Sequence, residues 1–185
     1  MLEVIGDVQS AAGFDKWVKA LGHQNGRAIR GIYGEAVATK KAAAAHGKQV
    51  ADAKLGDIIE TGTYKGKQGV DAQFGDELIV EAKAWNSNPY ATVAKAQEGL
   101  AKQLEKHIET RIIPLIDSST GKFKSGVTPN IHYEVGGNVF NPTFVSNLEE
   151  ALKKVVTNGK YKKQLERAGF NFDQHFSLNV FNLEI

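Results

Sequence analysis

The chain has 185 residues, 42% hydrophobic and 24% charged, with a net charge of +2, no cysteine and only four prolines. That length suits one domain able to bury a sizeable core without cross-links. The missing thiols exclude disulfide frameworks, thiolate metal sites and cysteine nucleophiles. No apolar run approaches the roughly 18 residues of a membrane span, and the first residues lack the pattern of a secretory signal. Between Lys16 and Lys54, eight basic residues (Lys16, Lys19, Arg27, Arg30, Lys40, Lys41, Lys48, Lys54) face two acidic ones (Glu35, Asp52), a local excess of +6. Such an excess suits a polyanionic partner, or else forms a solvated helix face.

In chain order, Arg27 to Ala45 predicts a helix, with Ile29, Ile32, Tyr33, Ala36 and Val37 at helical spacing and Gly47 as its stop. Three β-type runs follow, Asp57–Tyr64, Gly69–Phe74 and Leu78–Ala84, before Asn88-Pro89 breaks the chain. A second helix is expected from about Tyr90 to Thr110, with Val93, Leu100, Leu104 and Ile108 along one stripe. Strands are expected at Ile112–Ile116 and Ile131–Val135, a helix over Ser146–Ala168 and a last strand at Phe176–Leu183. The order predicts an α/β fold, a mixed central sheet with an antiparallel hairpin core flanked by helices.

Familiar catalytic patterns are missing. His23, His46, His107, His132 and His175 form no metal-ligand spacing and are expected at surfaces or interfaces. There is no GxSxG elbow, and Gly121-Lys122-Phe123 lacks the hydroxyl of a phosphate loop.

The informative stretch is Gly69 to Lys83. A two-residue loop at Gly75-Asp76 would set Asp71 against Val80 and mix polar with apolar residues on both faces. A three-residue loop, Gly75-Asp76-Glu77, pairs Phe74 with Leu78, Ala72 with Val80 and Val70 with Ala82, which gives one wholly apolar face. The other face then opposes Gln73 to Ile79, Asp71 to Glu81 and Gly69 to Lys83. Like charges across a sheet cost about 0.2–1 kcal/mol, so Asp71 facing Glu81 is a local conflict of the kind found at functional sites. Two converging carboxylates suit a hard divalent cation, Lys83 on the same face could meet a phosphate or the attacking water, and Gly69 would leave room for a ligand.

Asp71 with Glu81-Ala82-Lys83 resembles the PD-(D/E)XK nuclease superfamily, although Val70 stands where the name-giving motif has proline. The resemblance spans about residues 27–135 and implies a restriction-endonuclease-like core of helix, three strands, helix and strand. Within one domain of residues 1–185, residues 1–25 would be a lead-in from a longer parent protein and 136–185 a terminal helix and strand. It implies metal binding by Asp71 and Glu81, with Glu35 as a third acid from the preceding helix. Lys83 is implied to stabilise the phosphoryl charge, and Gln97 to orient water or substrate from the second helix. The implied ion is Mg2+, with Mn2+ or Zn2+ as substitutes, and the implied reaction is hydrolysis of nucleic-acid phosphodiesters, DNA before tRNA. Trp85 and Tyr90 could stack on bases or pack under the helix.

The chain is also similar to C-terminal nuclease toxin domains of contact-dependent growth inhibition proteins. That likeness implies delivery as the end of a larger secreted protein, action in the bacterial cytoplasm of a target cell, and a cognate immunity protein, whose contact surface is expected to be acidic because the first third of the chain carries an excess of +6. A tRNA-cleaving toxin using the same site, and a non-catalytic nucleic-acid-binding domain, are the alternatives.

Overall fold

The computed structural model describes residues 2–21, 26–56, 59, 64–66, 69–84, 93–136 and 142–181. Short helices α1 (Leu2–Gly6) and α2 (Phe14–Leu21) precede the long α3 (Gly26–Ala45). Then come β1 (Lys54–Leu55), β2 (Ala72–Phe74), β3 (Leu78–Ala84), α4 (Val93–His107) and β4 (Asn130–Gly136). The chain ends through α5 (Pro142–Asn158), α6 (Lys162–Ala168), α7 (Phe172–His175) and β5 (Phe176–Phe181). This is a mixed α/β fold: a five-stranded sheet in the order β1-β2-β3-β4-β5, with β1, β2 and β3 antiparallel and β3, β4 and β5 parallel.

Alternation along β3 divides the core. Leu78, Val80 and Ala82 pack with Ile5, Val8, Ile32, Ala36 and Ala42 from the α1–α3 layer. Ile79, Ile131, Tyr133 and Val135 pack with Leu100, Leu104, Leu148, Leu152, Leu165 and Phe172 from the α4–α7 layer. The alanines of α3 give it high helix propensity and a flat face against β3. It closes where Gly47 adopts φ +61° and the Lys48 N–H donates to the Ala43 carbonyl at 2.8 Å. Ile5, Val8 and Ala11 are buried, so the segment expected as a lead-in takes part in the core.

Several expected elements differ. Asp57–Tyr64 lies largely outside the described residues, as do His23, Trp85 and Tyr90; the strand beside β2 is Lys54–Leu55. Ile112–Ile116 is not a strand: α4 continues into a π turn, Ile108–Ile112, and a 3-10 turn, Ile113–Leu115. Leu104, Ile108 and Ile112 are all buried at a spacing of four, and the wide π turn absorbs the drift such spacing accumulates on a 3.6-residue helix. The expected helix over Ser146–Ala168 is two helices broken at Gly159, where a Cβ would stand 2.1 Å from the Val155 carbonyl oxygen.

Candidate functional site

The β2–β3 hairpin has the expected register, Ala72↔Val80, Gln73↔Ile79 and Phe74↔Leu78. Its three-residue loop closes with Glu77 N–H donating to the Phe74 carbonyl at 3.2 Å, and Gly75 takes φ +53°. The ladder ends at Ala72. Asp71 is not the ladder partner of Glu81; its N–H donates to the Val80 carbonyl at 3.2 Å, so two residues are set against one, as in a bulge. An extra residue reverses the alternation beyond it. Val70 accordingly joins the α4-side core with Ile79 and Leu100 instead of pairing with Ala82.

The bulge also re-aims the aspartate. Asp71 Oδ2 accepts the Ala82 backbone N–H at 2.8 Å, and the carboxylate is only 5% exposed. Beside it, Glu81 is 1% exposed. Glu81 Oε1 accepts from Lys83 Nζ and from Gln103 Nε2, whereas Oε2 is buried with no hydrogen-bond partner among the described residues. Burial pushes the Glu81 carboxyl well above its ordinary range, and the Asp71 charge pushes the same way against the pull of Lys83. For Lys83, burial acts downward but is outweighed by the charges of Glu81 and Asp71, with Glu35 adding to them, so the ammonium is held above its usual range. Lys83 Nζ also donates to the Ala82 carbonyl at 3.2 Å and keeps 29% of its side chain exposed, a route from solvent to the pair.

Helix α4 supplies the floor. His107 lies fully buried, its Nδ1 2.9 Å from the Tyr133 hydroxyl and its Nε2 3.2 Å from the Gly69 carbonyl and 3.4 Å from Glu81 Oε2. Burial, with the charge of Lys106 added, lowers its pKa to about 3, so the ring is neutral. Lys106 Nζ donates to the same Gly69 carbonyl at 3.3 Å. Gly69 is buried, and its carbonyl ties the lead-in to β2 to α4.

The structure therefore gathers Asp71, Glu81 and Lys83, with Glu35 half-buried on α3 and near enough for its charge to act on Lys83. Among the described residues, no three His, Cys, Asp or Glu side chains are grouped to hold a metal, so Glu35 stands outside the carboxylate pair. Gln97 is half-buried on α4, but the glutamine that reaches Glu81 is Gln103. Gln103, His107 and Tyr133 were not among the expected site residues. A usable signal was present: Gln103 and His107 stand four apart, each one position before an apolar residue of the stripe, Leu104 and Ile108.

The opposite sheet face holds a second buried polar group. His132 and Glu134 are each 1% exposed, joined Nε2 to Oε1 at 2.9 Å. Lys41 Nζ donates to Glu134 Oε2 at 3.0 Å, and Ser177 Oγ lies 3.0 Å from His132 Nδ1. Two of the histidines expected at surfaces, His107 and His132, are thus core residues whose polar atoms are satisfied. The basic excess is also partly consumed: Lys40 pairs with Asp7, Lys41 with Glu134 and Lys48 with Glu77, while Lys16 and Lys19 are exposed. The side chains of Arg27 and Arg30 lie outside the described ones.

Comparison with protein-family models, with curated proteins and with solved structures gives no match to this chain. Among the described residues, no helix is long and apolar enough to cross a membrane.

Proposed function

We propose that the chain is a divalent-metal-dependent nuclease of the PD-(D/E)XK type that hydrolyses phosphodiester bonds of nucleic acid, with DNA as the favoured substrate. The observation that carries this reading is the buried carboxylate pair, in which Glu81 Oε2 has no hydrogen-bond partner among the described residues and Asp71 stands beside it with Lys83 on the other oxygen. Two carboxylates buried side by side disfavour ionisation together, as the raised Glu81 carboxyl reflects, and a divalent cation between them would relieve that conflict. The donor set fits an oxygen-seeking ion: Asp71 and Glu81 would hold Mg2+, with Glu35 completing its shell or holding a water ligand. Such an ion polarises the phosphoryl oxygen and lowers the pKa of a bound water.

The chain's own residues supply the rest. Lys83, partly exposed beside the pair, binds a phosphate oxygen and stabilises charge as it develops on the transferring group. Gln103 holds Glu81 Oε1, which leaves Oε2 as the free face of the carboxylate. Exposed Lys16 and Lys19 stand in the basic segment that would meet the backbone of the substrate.

The test is cleavage of plasmid DNA and of tRNA by wild type, Asp71→Asn and Lys83→Met, with Mg2+ and with excess chelator. Cleavage that needs Mg2+ and falls about 100-fold or more in Lys83→Met supports the reading. Undiminished cleavage in chelator, or by Asp71→Asn, overturns it, and the preferred polymer fixes the substrate.

The toxin assignment rests on the sequence resemblance, which brings with it an immunity protein and delivery into the cytoplasm of a target bacterium. It is tested by expressing the chain in a bacterial cytoplasm, where normal growth with folded wild-type protein accumulating would remove it.

A further inference from the structure

Behind Glu81 runs a hydrogen-bond chain with a single consistent direction. The Gly69 carbonyl can only accept, so His107 Nε2, 3.2 Å away, carries the hydrogen. Nδ1 of the neutral ring is then the acceptor, and the Tyr133 hydroxyl donates to it across 2.9 Å. Both side chains are wholly buried, and Tyr133 meets the imidazole edge-on at 6.0 Å between ring centres. The ring has neither a second tautomer nor a second orientation that keeps all of these contacts.

His107 therefore sets a ring of fixed orientation beside Glu81 Oε2. At 3.4 Å the contact flanks that oxygen without satisfying it, because the hydrogen is committed to Gly69. On the other oxygen, Lys83 and Gln103 are bound. The Glu81 carboxylate is thus bounded by Lys83 and Gln103 on Oε1, by Asp71 beside it and by the wholly buried imidazole at 3.4 Å from Oε2. We propose that His107 is a positioning residue of the metal centre, fixed by Tyr133 and Gly69, and that it sets the orientation in which Glu81 offers Oε2 to the ion. The inference rests on the metal-dependent reading above.

The experiment is calorimetric titration of the full chain with Mn2+, without nucleic acid, for wild type, Tyr133→Phe, His107→Gln and His107→Leu. Tyr133→Phe keeps the ring that packs on Phe176 at 5.2 Å and removes only the orienting hydroxyl. It is expected to weaken Mn2+ binding about 10-fold or more, the usual effect of losing a group that orients a metal ligand. His107→Gln places an amide N–H near the position of Nε2 and is expected to stay within a few-fold of wild type, whereas His107→Leu falls at least as far as Tyr133→Phe. Far-ultraviolet circular dichroism shows whether each variant is folded; if His107→Leu is not, the other two carry the test. Wild-type affinity in Tyr133→Phe overturns the inference, and so does His107→Gln binding as weakly as a folded His107→Leu. Absence of Mn2+ binding by wild type overturns the metal reading itself, a result distinct from equal binding by all variants.

Discussion

Asp71 accepts the main-chain N–H of Ala82 through its side chain, at 2.8 Å, where a regular hairpin would have continued its ladder. The carboxylate thus has two opposed effects on stability. It satisfies a buried donor, and it places a negative charge against Glu81.

Those effects separate by substitution. Asp71→Asn keeps an oxygen for Ala82 and removes the charge; Asp71→Ala removes both. In chelator, Asp71→Asn is expected to be more stable than wild type, and Asp71→Ala less stable than Asp71→Asn by about 1–3 kcal/mol, the penalty for a stranded buried donor. Urea denaturation of the three proteins checks this. Equal stability of the two variants would show that the cap contributes nothing.

A second expectation concerns pH. The Glu81 carboxyl is raised in the folded protein above its value in the unfolded chain, first by burial and then by Asp71. Between those two values the folded state binds the extra proton, so stability falls as pH rises. The stabilising contribution is complete below the unfolded carboxyl value of about 4.3 and is lost as pH climbs through the raised one. Glu81→Gln cannot titrate there. Metal-free wild type should therefore lose melting temperature relative to Glu81→Gln as pH increases from about 5, at roughly 2–4 °C per kcal/mol for a chain of this size. Parallel melting curves across that range would contradict the assignment.

The hairpin loop offers a test free of the charges. Gly75 has φ +53° and open space around the position of a Cβ, so Gly75→Ala meets backbone strain alone. The expected loss is about 1–2 kcal/mol in denaturant unfolding, with Gly75→Asn milder because asparagine tolerates the left-handed region. A neutral alanine would mean that the loop differs from a turn starting in that region.

The hairpin was legible because its residues alternate so strictly that only one loop length yields an apolar face, and Ala72, Phe74, Leu78 and Val80 occupy that face. What lay beyond Ala72 was not, since a bulge leaves no mark in polarity; it moved Val70 to the other core and gave Asp71 a main-chain partner. Ile112–Ile116 read as a strand because a short β-branched run carries no period of its own. The helix stripe was found correctly through Leu100 and Leu104, yet which glutamine flanking it meets Glu81 depends on where α4 lies across β3, and that selects Gln103 over Gln97. The lysines of the first third looked like an open basic surface because Asp7, Glu77 and Glu134 join them only through the fold.

Tyr133 meets His107 from β4, a strand that lies between β3 and β5, with α4 between β3 and β4 in the chain. The β2–β3 hairpin supplies Asp71, Glu81 and Lys83, whereas Gln103 and His107 come from α4 and Tyr133 from β4. The later half of the chain is what sets Gln103 and His107 against Glu81. The site thus draws on both halves of the chain, and a chain shortened before Asn130 would retain Asp71, Glu81 and Lys83 in sequence while lacking Tyr133, which holds His107 beside them.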